Sequence, residues 1–150
     1  MGWLTDLHGT TVGVDTAPLI YLIEEHPVYL DAVRGSFTAV DAGDIQTVTS
    51  TVTLLEVLVQ PFRRGADDLA HQYRQTLLNA KGLSCEEATS EVAEDAARLR
   101  ASHNLRTPDA IQLAIAIRRG ASSFFTNDSF LPSIPDIQIL LLDQLVDLPQ

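Results

Sequence analysis

Four carboxylates of this 150-residue chain stand apart from other charges, each near the end of an element that the sequence predicts. Asp15 follows the apolar run Thr11–Val14, and Asp128 follows Ser122–Phe125 within the tripeptide Thr126-Asn127-Asp128. Glu56 is the only charge between Ile45 and Phe62, and Asp109 stands in the first turn of a helix opening at Thr107-Pro108. Isolated acids of this kind suit a cluster that holds a divalent metal. An all-oxygen carboxylate set selects Mg2+ or Mn2+, which keep several of their waters.

Other site chemistries find little support. His8, His26, His71 and His103 show no paired ligand spacing, which argues against a zinc site. There is no Gly-x-Ser-x-Gly elbow, no Walker loop and no Gly-x-Gly-x-x-Gly. Cys85 reads as a small buried residue, not a nucleophile.

Each acid also has a purely structural explanation. Asp15 can cap the following helix, with Thr16 competing for that role. Asp109 favours the positive end of a helix dipole. Glu56 belongs to a polar stripe of Thr49, Thr53, Glu56 and Gln60, opposite Val52, Leu55 and Val59. That helix is otherwise so apolar that the stripe points to a cleft. Asp128 and Asn127 both suit tight turns. All four explanations must hold together to dismiss the set, and one shared site accounts for it more simply.

The elements that would position these acids alternate between strand and helix. Thr11–Val14 reads as a buried strand, followed by helices over about 18–25 and 29–40. Residues 45–48 form the next β-rich run, then a helix spans about 50–59 and is stopped by Pro61. An amphipathic segment over 69–80 ends at Gly82, and 83–85 reads as a short edge strand. A helix covers 90–101, and another runs from Thr107 (N-cap) and Pro108 (N1) to Gly120, with Ile111, Ala114 and Ile115 on one face. Residues 122–125 and 137–142 are the last strands. The alternation predicts an α/β layer fold with a largely parallel sheet in one domain, 1–150. In such sheets ligands bind beyond the strand carboxyl ends. All four acids fall near that edge.

Composition sets the wider limits. With 45% apolar and 20% charged residues the chain reads as globular. No apolar run approaches the ~18–20 residues of a membrane span, and Met1–Asp6 resembles no secretory signal. A single cysteine allows no internal disulfide, so the expected location is the cytoplasm. Net charge is −10 and Lys81 is the only lysine, which argues against salt-driven, unspecific nucleic-acid binding. The arginines at 63–64, 98–106 and 118–119 could still form a local positive strip, or simply be solvated.

The run Gly13-Val-Asp-Thr-Ala-Pro-Leu-Ile-Tyr-Leu-Ile-Glu24 resembles the opening of PIN-domain ribonucleases. Thr53-Leu-Leu-Glu-Val57 resembles the helix bearing their glutamate. Thr107-Pro-Asp-Ala-Ile-Gln-Leu-Ala-Ile-Ala116 and Phe124-Phe-Thr-Asn-Asp128 resemble their last two motifs. The size is similar to the toxin component of VapBC-type toxin–antitoxin pairs. The resemblance implies a three-layer fold, with a mostly parallel five-stranded sheet flanked by helices. It further implies a homodimer, a protein antitoxin and an RNA substrate cut at phosphodiester bonds. By the same resemblance Asp15, Glu56, Asp109 and Asp128 bind the metal, with Thr126 in support. Asn127 would help orient water or a carboxylate, and Arg106 would position the RNA backbone. Ala17 departs from the family, where a polar residue is usual.

Three other readings share an acidic cluster or an α/β frame. A response-regulator receiver needs paired acids after the first strand and a late lysine, whereas Thr16-Ala17 follow Asp15 and Lys81 lies mid-chain. A haloacid dehalogenase-type phosphatase needs Asp-x-Asp, which Ala17 breaks. A non-catalytic interaction module does not account for the retention of all four acids. Within the leading class, a solitary RNA-processing PIN nuclease is the nearest alternative.

Overall fold

The computed structural model describes residues 2–150, and its centre is a five-stranded parallel sheet in the order β3-β2-β1-β4-β5. The strands are β1 (Thr11–Val14), β2 (Gln46–Ser50), β3 (Leu83–Glu86), β4 (Ser123–Thr126) and β5 (Gln138–Leu141). The helices are α1 (Trp3–Asp6), α2 (Thr16–Ile23), α3 (Leu30–Asp41), α4 (Thr51–Arg64), α5 (Asp67–Asn79), α6 (Ser90–Ser102), α7 (Thr107–Arg118) and α8 (Leu142–Leu145). The expected α/β architecture is therefore present, and the strand over 83–86 is an edge strand.

Successive strand residues point to opposite faces of a sheet. In register, Gly13 pairs with Val48 and Phe124, and these face one core with α6 and α7. Val12, Phe125 and Leu140 face the other core, packed by α1, α3 and α8. Val14 and Leu83 join a third cluster with Leu19, Val57, Tyr73 and Leu77 from α2, α4 and α5. Helices cover both faces, which is why β4 is buried at all four positions.

The structure revises three local expectations. Pro61 does not stop its helix: α4 continues to Arg64 and is closed by Gly65 at φ 63. The N–H groups of Gly65 and Ala66 bond back to Phe62 and Pro61, satisfying the last carbonyls, and Pro61 is buried. Thr107 does not cap α7. Arg106 occupies the cap position, and the Thr107 hydroxyl accepts from Arg100 at 2.9 Å. Finally, α7 has more than one buried face, because Ala110 and Leu113 are as fully buried as Ala114 and Ile115.

The depth at which α7 sits is set by Gly13. A Cβ there would lie 2.6 Å from the Ala116 Cβ and 2.9 Å from the Phe124 ring. Two backbone-fixed groups cannot tolerate that approach, so α7 must retreat if position 13 gains a side chain. Gly13→Ala is expected to cost about 1–3 kcal/mol, the usual range for an overpacked core. A lower urea midpoint, partly restored by adding Ala116→Gly, checks this; an unchanged midpoint refutes it.

Candidate active site

The carboxyl ends of β1 and β4 open into a cleft of about 850 Å3. This is the point where the chain order leaves β1 in both directions, the usual place for a ligand in an open parallel sheet. Asp15, Glu56, Asp109 and Asp128 all line it. They arrive from four elements: the end of β1, the second turn of α4, the first turn of α7 and the loop after β4.

Asp15 is the best held of the four. Its N–H bonds to Phe125 O at 2.9 Å, extending the β1–β4 pairing by one residue. One carboxylate oxygen accepts from Thr16 N at 2.8 Å, so the expected capping role is real. The other oxygen accepts from the Thr126 hydroxyl at 2.7 Å. Thr126 is fully buried, and its oxygen also accepts from Asp128 N at 3.1 Å. A single hydroxyl thus ties the two strand-end acids together.

The remaining acids are anchored differently. Glu56 accepts from the Thr16 hydroxyl at 3.0 Å. Asp109 is buried and bonded to Arg106, with Nε to Oδ2 at 3.0 Å. Asp128 accepts from Phe130 N at 2.9 Å, so the turn role anticipated for it also holds. Asn127 lines the cleft, yet its amide bonds to Tyr21 and its oxygen accepts from Asp143 N; none of these bonds goes to the four acids.

A buried polar chain beneath the cleft was not visible in sequence. Gln112 accepts from Ser50 and donates to Thr53, joining α7 to the start of α4. Thr49 donates to Val14 O at 2.8 Å, which leaves its oxygen to accept from Thr53 at 2.9 Å. Thr53 and Gln112 lie one turn from Glu56 and Asp109 respectively, so this chain fixes the spacing of the two acidic turns. The available signal was Gln112 itself, the only polar residue in the run Ala110–Ala116.

Burial raises the Asp15 pKa above the ordinary carboxyl value. Hydrogen bonds from Thr126 and Thr16 oppose the rise, and repulsion from Asp109 and Glu56 adds to it. Pairing with Asp109 raises the Arg106 pKa. Most of the expected arginine strip is neutralised in the same manner. Arg98 and Arg118 pair with Asp95, and Arg119 pairs with Glu86. Arg100, on the cleft wall, instead donates to Leu105 O at 3.0 Å and to the Thr107 hydroxyl.

One family description, the PIN domain, matches residues 12–136 of the chain. The chain belongs to the PIN domain family. No curated protein shows significant sequence similarity to this PIN domain. Its fold is similar to a chain of VapBC2 from Rickettsia felis, solved bound to a promoter DNA fragment. The identity is 15% and the TM-score 0.69, covering 87% of this chain and 98% of that one. A toxin–antitoxin complex from Klebsiella pneumoniae gives 23% identity and a TM-score of 0.65, covering 89% and 98%. The sarcin-ricin loop cleaving toxin VapC20 of Mycobacterium tuberculosis gives 17% and 0.62, covering 77% and 87%.

Among the described residues, no three His, Cys, Asp or Glu side chains gather closely enough to enclose a metal as they stand. The donor set of this PIN domain nevertheless fits a hard cation. It is all oxygen, and Asp15 carries like-charge repulsion from two neighbours that a cation would relieve.

Two outcomes follow from this geometry. The raised Asp15 pKa means that the folded state holds its proton more tightly than the unfolded chain does. That contribution is fully present below the ordinary carboxyl pKa and lost as pH rises through the raised value. At neutral pH the charge is a net cost. Asp15→Asn is therefore expected to melt above the wild type at neutral pH in EDTA, with the advantage shrinking toward about pH 4. A melting temperature below the wild type at neutral pH contradicts the assignment. Separately, Gln112→Ala leaves the buried Ser50 and Thr53 hydroxyls short of partners. It should cost about 1–3 kcal/mol by urea denaturation, and a loss below the lower bound would show the chain to be dispensable.

Proposed function

We propose that this PIN domain is a Mg2+- or Mn2+-dependent endoribonuclease, the toxin of a type II pair neutralised by a protein antitoxin. The observation that carries the reading is the half-buried Asp15, braced by Thr126 and Thr16 and facing Asp109 and Glu56 across the cleft. Family membership and likeness in fold to chains from toxin–antitoxin complexes support it. So does the likeness in fold to a toxin described as cleaving the sarcin-ricin loop.

Asp15 and Asp109 are the direct ligands in this reading, while Glu56 and Asp128 act directly or through water. A bound divalent cation supplies charge neutralisation at the phosphate and an acidified water. The chain's own residues do the positioning. Thr126 fixes the Asp15 carboxylate in one orientation. Thr16 aims Glu56 into the cleft. Arg106, exposed except at its Asp109 contact, exchanges that partner for a backbone phosphate of the substrate. Asn127 holds the β4 loop against Tyr21 and Asp143, which keeps Asp128 at the rim.

The protein is expected to act in the cytoplasm as a homodimer. No helix among the described residues is long and apolar enough to cross a membrane.

The test is cleavage of a structured RNA. Cutting should require Mg2+ or Mn2+, stop in EDTA, and fall by about 100-fold or more in Asp15→Asn and Asp109→Asn, as for loss of groups that stabilise the transition state. Undiminished cleavage in both variants removes the site. Growth arrest relieved by the product of a neighbouring gene distinguishes a toxin from a solitary RNA-processing nuclease, which needs no such partner.

A further inference from the structure

Phe130 stands 91% exposed, more than any other large apolar side chain among the described residues. Single exposed apolar residues are ordinary on protein surfaces. The position of this one is not ordinary. Of the six large exposed apolar side chains, only Phe130 lines the carboxylate cleft. The others, including Leu55 and Phe62 on α4, stand between 42% and 65% exposed and lie outside it.

The ring is also presented by a fixed support. Phe130 N donates to Asp128 Oδ1 at 2.9 Å, and Leu131 N donates to Asp128 O at 3.3 Å. One acid of the cleft therefore sets the backbone from which the ring projects. Arg100 and Arg106 also line the cleft. The space between is about 850 Å3, in the range of small-ligand sites.

Charge decides what such a ring can do. The chain carries −10, and of its basic residues only Arg100 and Arg106 line the cleft, the latter paired with Asp109. Binding through many phosphate contacts is therefore weak here, because it needs free cationic groups. Stacking of a base on an aromatic face needs none and tolerates any sequence.

Building on the nuclease reading above, we infer that Phe130 is a stacking residue: it holds an unpaired base of the RNA next to the phosphate at the cleft. Unstacked bases of this kind are what proteins grip with aromatic side chains.

The experiment measures binding and cleavage of two fluorescein-labelled RNA hairpins by the full chain, one with a ten-nucleotide loop and one closed by a minimal loop. Binding is read by anisotropy in Ca2+ and cleavage in Mn2+. Phe130→Ala should weaken binding of the large-loop hairpin by about 5- to 100-fold, the span that loss of one base stack gives. It should raise KM more than it lowers kcat. Phe130→Trp should restore binding to near the wild-type level, and affinity should fall only slightly between low and moderate salt. Circular dichroism confirms folding, which an exposed substitution leaves intact. Equal binding by wild type and Phe130→Ala overturns the inference while leaving the nuclease reading in place, provided both cut RNA. Absence of metal-dependent cleavage in the wild type overturns that reading and the inference with it. If Phe130→Ala leaves RNA binding intact and instead abolishes self-association in sedimentation, the ring is a protein contact and the inference is wrong.

Discussion

A negative charge half-buried at the end of a central strand has to be compensated, and the arrangement around Asp15 is built on that need. Two hydrogen bonds reach its carboxylate, one from the first turn of α2 and one from the last residue of β4. The second is possible only because β1 and β4 run parallel and in register, with Asp15 N bonded to Phe125 O. The loop after β4 then follows from the same hydroxyl, which accepts Asp128 N. Strand order, helix start and loop path therefore converge on one side chain. The incomplete compensation matters as much as the bonds: Asp109 and Glu56 still repel Asp15.

Much of this was legible because the relevant residues break their local patterns. Asp15 and Asp128 each follow an apolar run, and Glu56 is the only charge between Ile45 and Phe62. Strand alternation with helices fixed the sheet edge to which they belong, so their convergence followed from topology alone. The supporting network was harder to see. The stripe placed Thr49 and Thr53 toward a cleft, but their burial with Ser50 and their bonds to Gln112 and Val14 O depend on tertiary pairing that the sequence does not display. Pro61 misled for a related reason. A proline removes one helix bond, but packing of its ring and the left-handed Gly65 carried the helix one turn further.

The arginines illustrate what linear grouping cannot show. Their clustering suggested a basic strip, yet Asp95 alone engages both Arg98 and Arg118 from different helices. Pairing across elements depends on how α6 packs on α7, which a count of charges does not contain. The acid excess is correspondingly less puzzling. Part of it neutralises cations at fixed positions, and part of it gathers at the cleft.

The hydroxyl and amide chain running from Ser50 through Gln112, Thr53 and Thr49 contains no ionisable group. Its bonds keep the same donors and acceptors whether the acids above are protonated, charged or neutralised by a cation. Functional clefts that must pass between charge states often face a conflict, since the forces that shape them change at the same moment. Here the frame and the charges are chemically separate. The hydrogen bonds of the floor therefore do not depend on the charge state of the rim.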